Sequence, residues 1–109
     1  MVRQKRTKTL LAIAFLGYAS VIDCISTILG LNHGLVEANP VALLGFELIG
    51  IWAFFAIKIS MSIALATGIL LHTEKRTTLE HNFGIVAIIT WGFFWILVAI
   101  HNMRLILLI

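Results

Sequence analysis

Three long apolar stretches, separated by short polar segments, limit what this chain can fold into. They cover residues 9–31, 50–71 and 83–103. As a helix that rises 1.5 Å per residue, the first would measure roughly 33 Å, enough to cross the hydrocarbon core of a bilayer. Of the 109 residues, 12% are charged and 61% are hydrophobic, and a chain this small cannot bury so much apolar surface in a water-soluble core. The sequence predicts an all-α integral membrane protein, a single membrane domain with three transmembrane helices.

The segment between the first two stretches carries signals for the end of one helix and the start of another. Gly34 suits the left-handed backbone position just past a helix end. Asn39 is a favourable N-cap, and Pro40 is favoured at the first position of a helix. Together with Glu37, these residues form a predicted outer turn.

The helix that follows this turn cannot be one straight span. A single helix over 40–71 would measure about 48 Å, which exceeds the thickness of the hydrocarbon core. Gly45 and Gly50 are the predicted break. We therefore expect a short helix over 40–48, either interfacial or partly re-entrant, before the second transmembrane helix at 50–71.

Basic residues flank the spans in a way that predicts the topology. The tail at 1–8 holds four basic residues and no acid, and the polar loop at 72–82 holds one lysine and one arginine. The outer segment at 32–47 holds two acids and neither lysine nor arginine. Because Lys and Arg concentrate in cytoplasmic segments, we expect a cytoplasmic N-terminus and a C-terminus outside. A cleaved signal peptide is the competing interpretation, but the first apolar run is longer than the usual h-region.

Helical periodicity divides the first stretch into two faces. One face is small and polar, and we expect it to contact protein, because polar groups avoid lipid and small residues let membrane helices approach. It consists of Ala12, Ala19, Ser20, Asp23, Ser26, Thr27 and Gly30. The opposite face is bulky, and we expect it to meet lipid. It consists of Leu11, Tyr18, Val21, Ile22, Ile25, Ile28 and Leu29.

Two ionisable side chains lie inside apolar stretches, Asp23 in the first and Lys58 in the second. Each is about 14 residues, or roughly 21 Å, from the cytoplasmic end of its span, so the charges lie at similar depth. A lone charge at the centre of a bilayer costs about 2.5–3.5 kcal/mol on insertion scales. We predict that Asp23 and Lys58 pair, with Thr27 and Ser62 completing a polar intramembrane cluster. The alternative is that each charge faces a different partner or an outer aqueous cavity.

The sequence carries no motif for catalysis or metal binding. It has one cysteine, so no internal disulfide forms, and the CxxC and HExxH spacings are absent. A serine nucleophile at Ser26 or Ser62 would have Lys58 as its single candidate base. The basic residues flank spans and form no binding face, which argues against nucleic acid as a partner. We therefore predict no enzyme, no cofactor and no metal site.

Several of these residues together resemble a family of small prokaryotic membrane proteins of unknown function. The matching residues are Asp23 and Thr27 in an Asp-x3-Thr pattern, Gly34, Glu37, Asn39 and Pro40 in a Gly-x2-Glu-x-Asn-Pro pattern, the lone Lys58 in the next span, and Asn102 at the outer end of the third. The resemblance covers roughly residues 16–102. It implies a membrane domain of three or four helices in a prokaryotic cell membrane, and it implies no activity.

Two functions fit this pattern. The first is a structural or accessory subunit of a membrane complex or homo-oligomer, in which Asp23 and Lys58 act as a polar clasp. Its partners would be the lipid bilayer and either other membrane subunits or further copies of the chain. The second is a small oligomeric transporter or channel that uses Asp23 and Lys58 as an ion or proton site. Self-association is favoured by a row of small residues on the second span, Ala53, Ala56, Ser60, Ala64 and Thr67.

Overall fold

The computed structural model describes residues 2–34 and 40–108. Within these residues the secondary structure is entirely helical, with α1 at Val2–Asn32, α2 at Pro40–Ile49, α3 at Ile51–Glu74 and α4 at Thr78–Leu108. By length and composition, α1, α3 and α4 are each able to cross a membrane. The predicted all-α membrane fold with three long apolar helices is confirmed.

The three long helices form a bundle in which α1 and α4 run parallel and α3 runs antiparallel to both. α1 packs most extensively against α4. The buried core consists of Ala12, Leu16, Ala66, Leu70 and Ile88, one set of apolar side chains from all three helices. Trp91 and Trp95 pack against this core from α4. Both indole rings therefore act as packing residues inside the span.

The two predicted faces of α1 are confirmed by their burial. Ala19, Ser20 and Asp23 on the small and polar face are at most 2% exposed. On the bulky face, Leu11 and Tyr18 are more than 60% exposed. The bulky residues are the ones that a surrounding bilayer would cover, and the small residues let α3 and α4 approach the α1 backbone.

A glycine separates α2 from α3. Gly50 has a φ of +87°, a left-handed conformation that suits glycine, and it precedes the first residue of α3. The prediction that Gly45 is also part of the break is wrong, because Gly45 lies inside α2. Its missing side chain instead makes room for Phe54, whose ring would clash with a Cβ at this position. The interfacial or re-entrant placement of α2 stays a prediction.

The polar loop predicted over 72–82 is shorter than expected, because α3 continues to Glu74 and α4 begins at Thr78. α4 begins at Thr78 because Thr77 caps its N-terminus. The backbone N–H of Glu80 donates to Thr77 Oγ1 at 3.2 Å, and Thr-x-x-Glu is the pattern of a capping box. α4 also continues past the predicted end at residue 103, to Leu108.

The basic segment at 1–8, predicted as a tail, is helical from Val2 onward. Two of its side chains, Lys5 and Arg6, contact the end of α3. Lys5 Nζ donates to the carbonyl oxygens of Arg76 and Glu74 at 2.8 and 3.3 Å, where a helix end leaves carbonyl groups without partners. Arg6 Nε lies 3.0 Å from Glu74 Oε1. These contacts hold the first turns of α1 against the other helices.

A buried histidine joins the three long helices at the same end. His81 is 0% exposed. Its Nε2 lies 3.2 Å from the carbonyl oxygen of Lys5 and donates to it, since a carbonyl can only accept. Its Nδ1 lies 2.9 Å from Thr73 Oγ1. One side chain on α4 therefore contacts both α1 and α3.

Candidate functional site

The most unusual feature of the bundle is an ion pair between α1 and α3. Lys58 Nζ donates to Asp23 Oδ2 at 2.9 Å. The Asp23 side chain is 3% exposed and the Lys58 side chain 25%. The two charges that the sequence places at equal depth are thus in contact, with the carboxylate buried and the ammonium group partly accessible.

The ammonium group also faces aromatic rings. Lys58 Nζ lies 3.8 Å from the centroid of the Trp95 ring and 5.6 Å from that of Phe55. Both are within the range of a cation–π interaction, in which the face of the ring attracts the cation. Trp95 thereby connects α4 to the ion pair between the other two helices.

Asn102 ties α4 to the turn of α1 that carries Asp23. Its Nδ2 donates to Ser26 Oγ at 3.2 Å and to Thr27 Oγ1 at 3.3 Å. Both hydroxyl groups in turn donate to the backbone carbonyl oxygen of Asp23 at 2.9 Å. Each hydroxyl can donate once and still accept, so one chain of hydrogen bonds joins the α1 backbone to α4.

The structure brings together four of the predicted site residues: Asp23, Thr27, Lys58 and Asn102. Ser62 is 7% exposed and lies one turn from Lys58, but it makes no side-chain hydrogen bond to the residues that the structure describes.

The predicted outer turn is covered only in part. Gly34 follows α1 with a φ of +92°, and its N–H donates to the carbonyl oxygen of Leu31 at 3.1 Å. Pro40 is the first residue of α2. Glu37 and Asn39 lie outside the described residues.

A cavity of about 350 Å³ borders the ion pair. Among the described helices, α2 packs against α3 alone. The cavity lies between α2 on one side and α1 and α4 on the other. Its lining consists of Asp23 and Thr27 from α1, Ala42 and Phe46 from α2, Phe54, Phe55 and Lys58 from α3, and Phe94, Trp95, Val98 and Asn102 from α4. Five of these eleven residues are aromatic and four are polar.

Sequence reasoning did not assign Trp95 to the site. A signal was present, because Trp95, Val98 and Asn102 share one face of a helix, and Asn102 was already a site candidate. Phe54 and Phe55 carried a similar signal, because they lie four and three residues before Lys58 and share its face of α3. Phe46 gave none, since its approach to the ion pair depends on how α2 packs against α3.

The described residues contain no cluster of three or more His, Cys, Asp or Glu side chains that could hold a metal ion. Cys24 is buried and makes no disulfide. What the site offers chemically is a charge pair, two hydroxyls and an amide beside an aromatic cavity.

Residues 7–108 match the family model of a domain of unknown function, DUF5658. No curated protein matches, and no solved structure matches. The family match agrees with the resemblance to a family of unknown function, and it supplies no activity.

Proposed function

We propose a structural function for this chain, which belongs to the DUF5658 family of domains of unknown function: it is a small membrane subunit that assembles with copies of itself. The Asp23–Lys58 pair acts as the clasp that fixes the register of α1 against α3. The observation that carries the proposal is the 2.9 Å contact between a lysine and a carboxylate that is only 3% exposed. In an apolar bundle, such a pair relieves the cost of placing each charge in the membrane.

The clasp would be sensitive to register. A shift of one helix turn would move the two groups apart by about 5.4 Å and leave both charges without their partner. Asn102 strengthens the same alignment, because its hydrogen bonds to Ser26 and Thr27 fix α4 against the Asp23 turn. Three long helices are thus tied at one level of the bundle.

Self-association is supported by a face of α3 that the bundle leaves open. Ala56, Ser60, Ala64 and Gly68 follow one another at intervals of four residues, and all are exposed. A Cβ added at Gly68 would meet nothing within 4 Å. Small residues at this spacing let two membrane helices approach closely. Since the same patch can pair with itself in a two-fold dimer, a second copy of the chain is the proposed occupant.

Enlarging this stripe tests the proposal. Ala64→Leu and Gly68→Leu are expected to weaken dimerisation at least tenfold, because the added side chains hold the two α3 backbones apart. The measurement is native mass spectrometry of the detergent-solubilised protein over a range of dilutions. Val86→Leu adds bulk to an exposed position of α4 and serves as the control. A monomeric wild type, or an oligomer that both variants leave intact, would contradict self-association through α3.

The orientation in the membrane remains the one predicted from the charges. In a background with Cys24 replaced by Ser, Val36→Cys should react with an impermeant thiol reagent added outside intact cells. Lys75→Cys should react only after the cells are opened, because basic segments stay in the cytoplasm. The opposite labelling pattern would reverse the topology.

The alternative function is a small oligomeric transporter or channel with Asp23 and Lys58 as its ion or proton site. The cavity beside Lys58 favours it, because the ammonium group is accessible from that space. An ion or proton flux across vesicle membranes that needs both charges would support this alternative. The structural function predicts no such flux.

A further inference from the structure

The walls of the cavity beside Lys58 are suited to a flat ring. Phe46 and Phe54 meet edge to face with their centroids 5.0 Å apart, and Phe54 and Phe55 meet at 5.6 Å. Phe94 and Trp95 line the cavity from α4. Aromatic side chains favour a further ring in a stacked or edge-on position, and a volume of about 350 Å³ lies within the range of small-molecule sites, about 300–1,000 Å³.

The polar group that the cavity presents is a donor. Lys58 Nζ carries three N–H groups, and Asp23 Oδ2 accepts from it at 2.9 Å. The Lys58 side chain is 25% exposed, whereas that of Asp23 is 3% exposed, so a molecule in the cavity meets the ammonium group before the carboxylate. The complementary group on a ligand is a hydrogen-bond acceptor such as a carbonyl oxygen.

The charges of the site select against ions. Asp23 and Lys58 sum to zero as a pair, so an anion attracted by Lys58 would be repelled by the adjacent carboxylate. A cation would have to compete with Lys58 for the face of Trp95, where the ammonium group lies 3.8 Å from the ring centroid. A neutral ligand meets neither obstacle.

The ligand must also reach the cavity from its surroundings. Phe94, which forms part of the wall, is 55% exposed on the outer surface of α4. In a membrane that surface meets lipid, so an apolar molecule dissolved in the bilayer can come into contact with a residue of the cavity wall.

We propose that this cavity binds a neutral, membrane-dissolved molecule with a flat ring that bears a carbonyl oxygen, the chemistry of a quinone headgroup. The ring packs among Phe46, Phe54 and Trp95, and the carbonyl oxygen accepts a hydrogen bond from Lys58. An ester carbonyl of a bilayer lipid shares the acceptor chemistry but lacks the ring. This ligand site goes beyond the structural function and does not depend on it.

Fluorescence quenching tests the site with decylubiquinone as the probe. Replacing Trp52 and Trp91 by Phe leaves Trp95 as the single indole of the three in the chain. In nanodiscs, decylubiquinone is expected to quench Trp95 with a saturable dependence on concentration. Val98→Phe fills the cavity and should weaken the apparent affinity at least tenfold. Leu97→Phe adds a ring at the next residue, which is 64% exposed, and should leave the affinity unchanged.

The lipid composition distinguishes the two sources of a carbonyl group. Saturable quenching in both ester-linked and ether-linked lipids supports the ring as the recognised feature. Saturation in ether-linked lipids alone supports the same donor site with a lipid ester as its resident ligand. Quenching that rises linearly with concentration in both lipids, or that Val98→Phe and Leu97→Phe affect equally, would overturn the proposal. Thermal unfolding of each variant verifies that it is folded.

Discussion

Neutralising either partner of the Asp23–Lys58 pair alone is expected to lower the free energy of unfolding by about 3–5 kcal/mol, the usual cost of leaving one buried charge without its partner. Asp23→Asn leaves an ammonium group against Trp95, and Lys58→Met leaves a carboxylate that is almost fully buried. Lys58→Met should be the worse of the two, since the lysine side chain can extend toward water more readily than Asp23 can.

The double variant Asp23→Asn/Lys58→Met separates pairing from two independent effects. With both charges gone, no unpaired group remains, so its loss of stability should be smaller than the sum of the two single losses. The exchange Asp23→Lys/Lys58→Asp should restore stability only in part, because the depths match but the side-chain lengths do not. The measurement is a double-mutant cycle on thermal unfolding in detergent.

An exposed ion pair supplies the control for this cycle. Arg76 Nε lies 2.8 Å from Glu80 Oε2, but both side chains are more than 40% exposed. Water screens such a pair, so Glu80→Gln should change stability far less than Asp23→Asn does. Strictly additive losses in the Asp23–Lys58 cycle would mean that the charges do not interact, and the clasp would be wrong.

The same double variant distinguishes the two functions. If the pair is structural, the neutral variant still assembles, and whatever the protein does in the cell persists. If the pair is an ion or proton site, the variant folds and assembles but its flux across a vesicle membrane is lost. Assembly should be measured together with flux. A variant that has lost its fold would then not be mistaken for one that has lost its function.

The meeting of Asp23 and Lys58 followed from the sequence because it rests on a fixed quantity, the rise per residue of a helix. Counting from the basic ends of two antiparallel spans places both residues at one depth. Asn102 lies 19 residues into the third span, close to the level of Ser26 and Thr27, which lie 17 and 18 residues into the first. Depth along a helix is thus readable from the sequence of a membrane protein.

Several contacts between different helices could not be predicted from the sequence. Lys5 and Arg6 contact Glu74, which is about 70 positions away in the sequence. No local sequence pattern predicts these contacts. The prediction that Gly45 breaks the helix was wrong, because this glycine instead leaves space for the Phe54 ring. Thr77 and Glu80 did carry a local signal, the capping box, which would have shortened the predicted loop.

Gly92 is the residue whose enlargement should do most damage at the interface between α1 and α4. It is buried, and a Cβ at this position would lie 2.5 Å from Cε2 and 2.8 Å from Cδ2 of Phe15. The Phe15 ring cannot move freely, because it packs against Phe93 with the centroids 5.1 Å apart. Adding a methyl group to a packed interface of this kind typically costs about 1–3 kcal/mol.

We therefore expect Gly92→Ala to lower stability by about 1–3 kcal/mol, and Gly92→Leu to lower it further by forcing α1 and α4 apart. The separation should also break the hydrogen bonds of Asn102 to α1, so α4 should no longer be fixed against the Asp23 turn. Gly17→Ala is the matched control, because a Cβ there would meet Ile63 Cδ1 at 3.5 Å, an ordinary van der Waals distance, and alanine is the better helix former. Thermal unfolding in detergent compares the two. Equal stability of Gly92→Ala and Gly17→Ala would mean that the Phe15 ring turns aside without cost, and that close approach at Gly92 does not set the distance between α1 and α4.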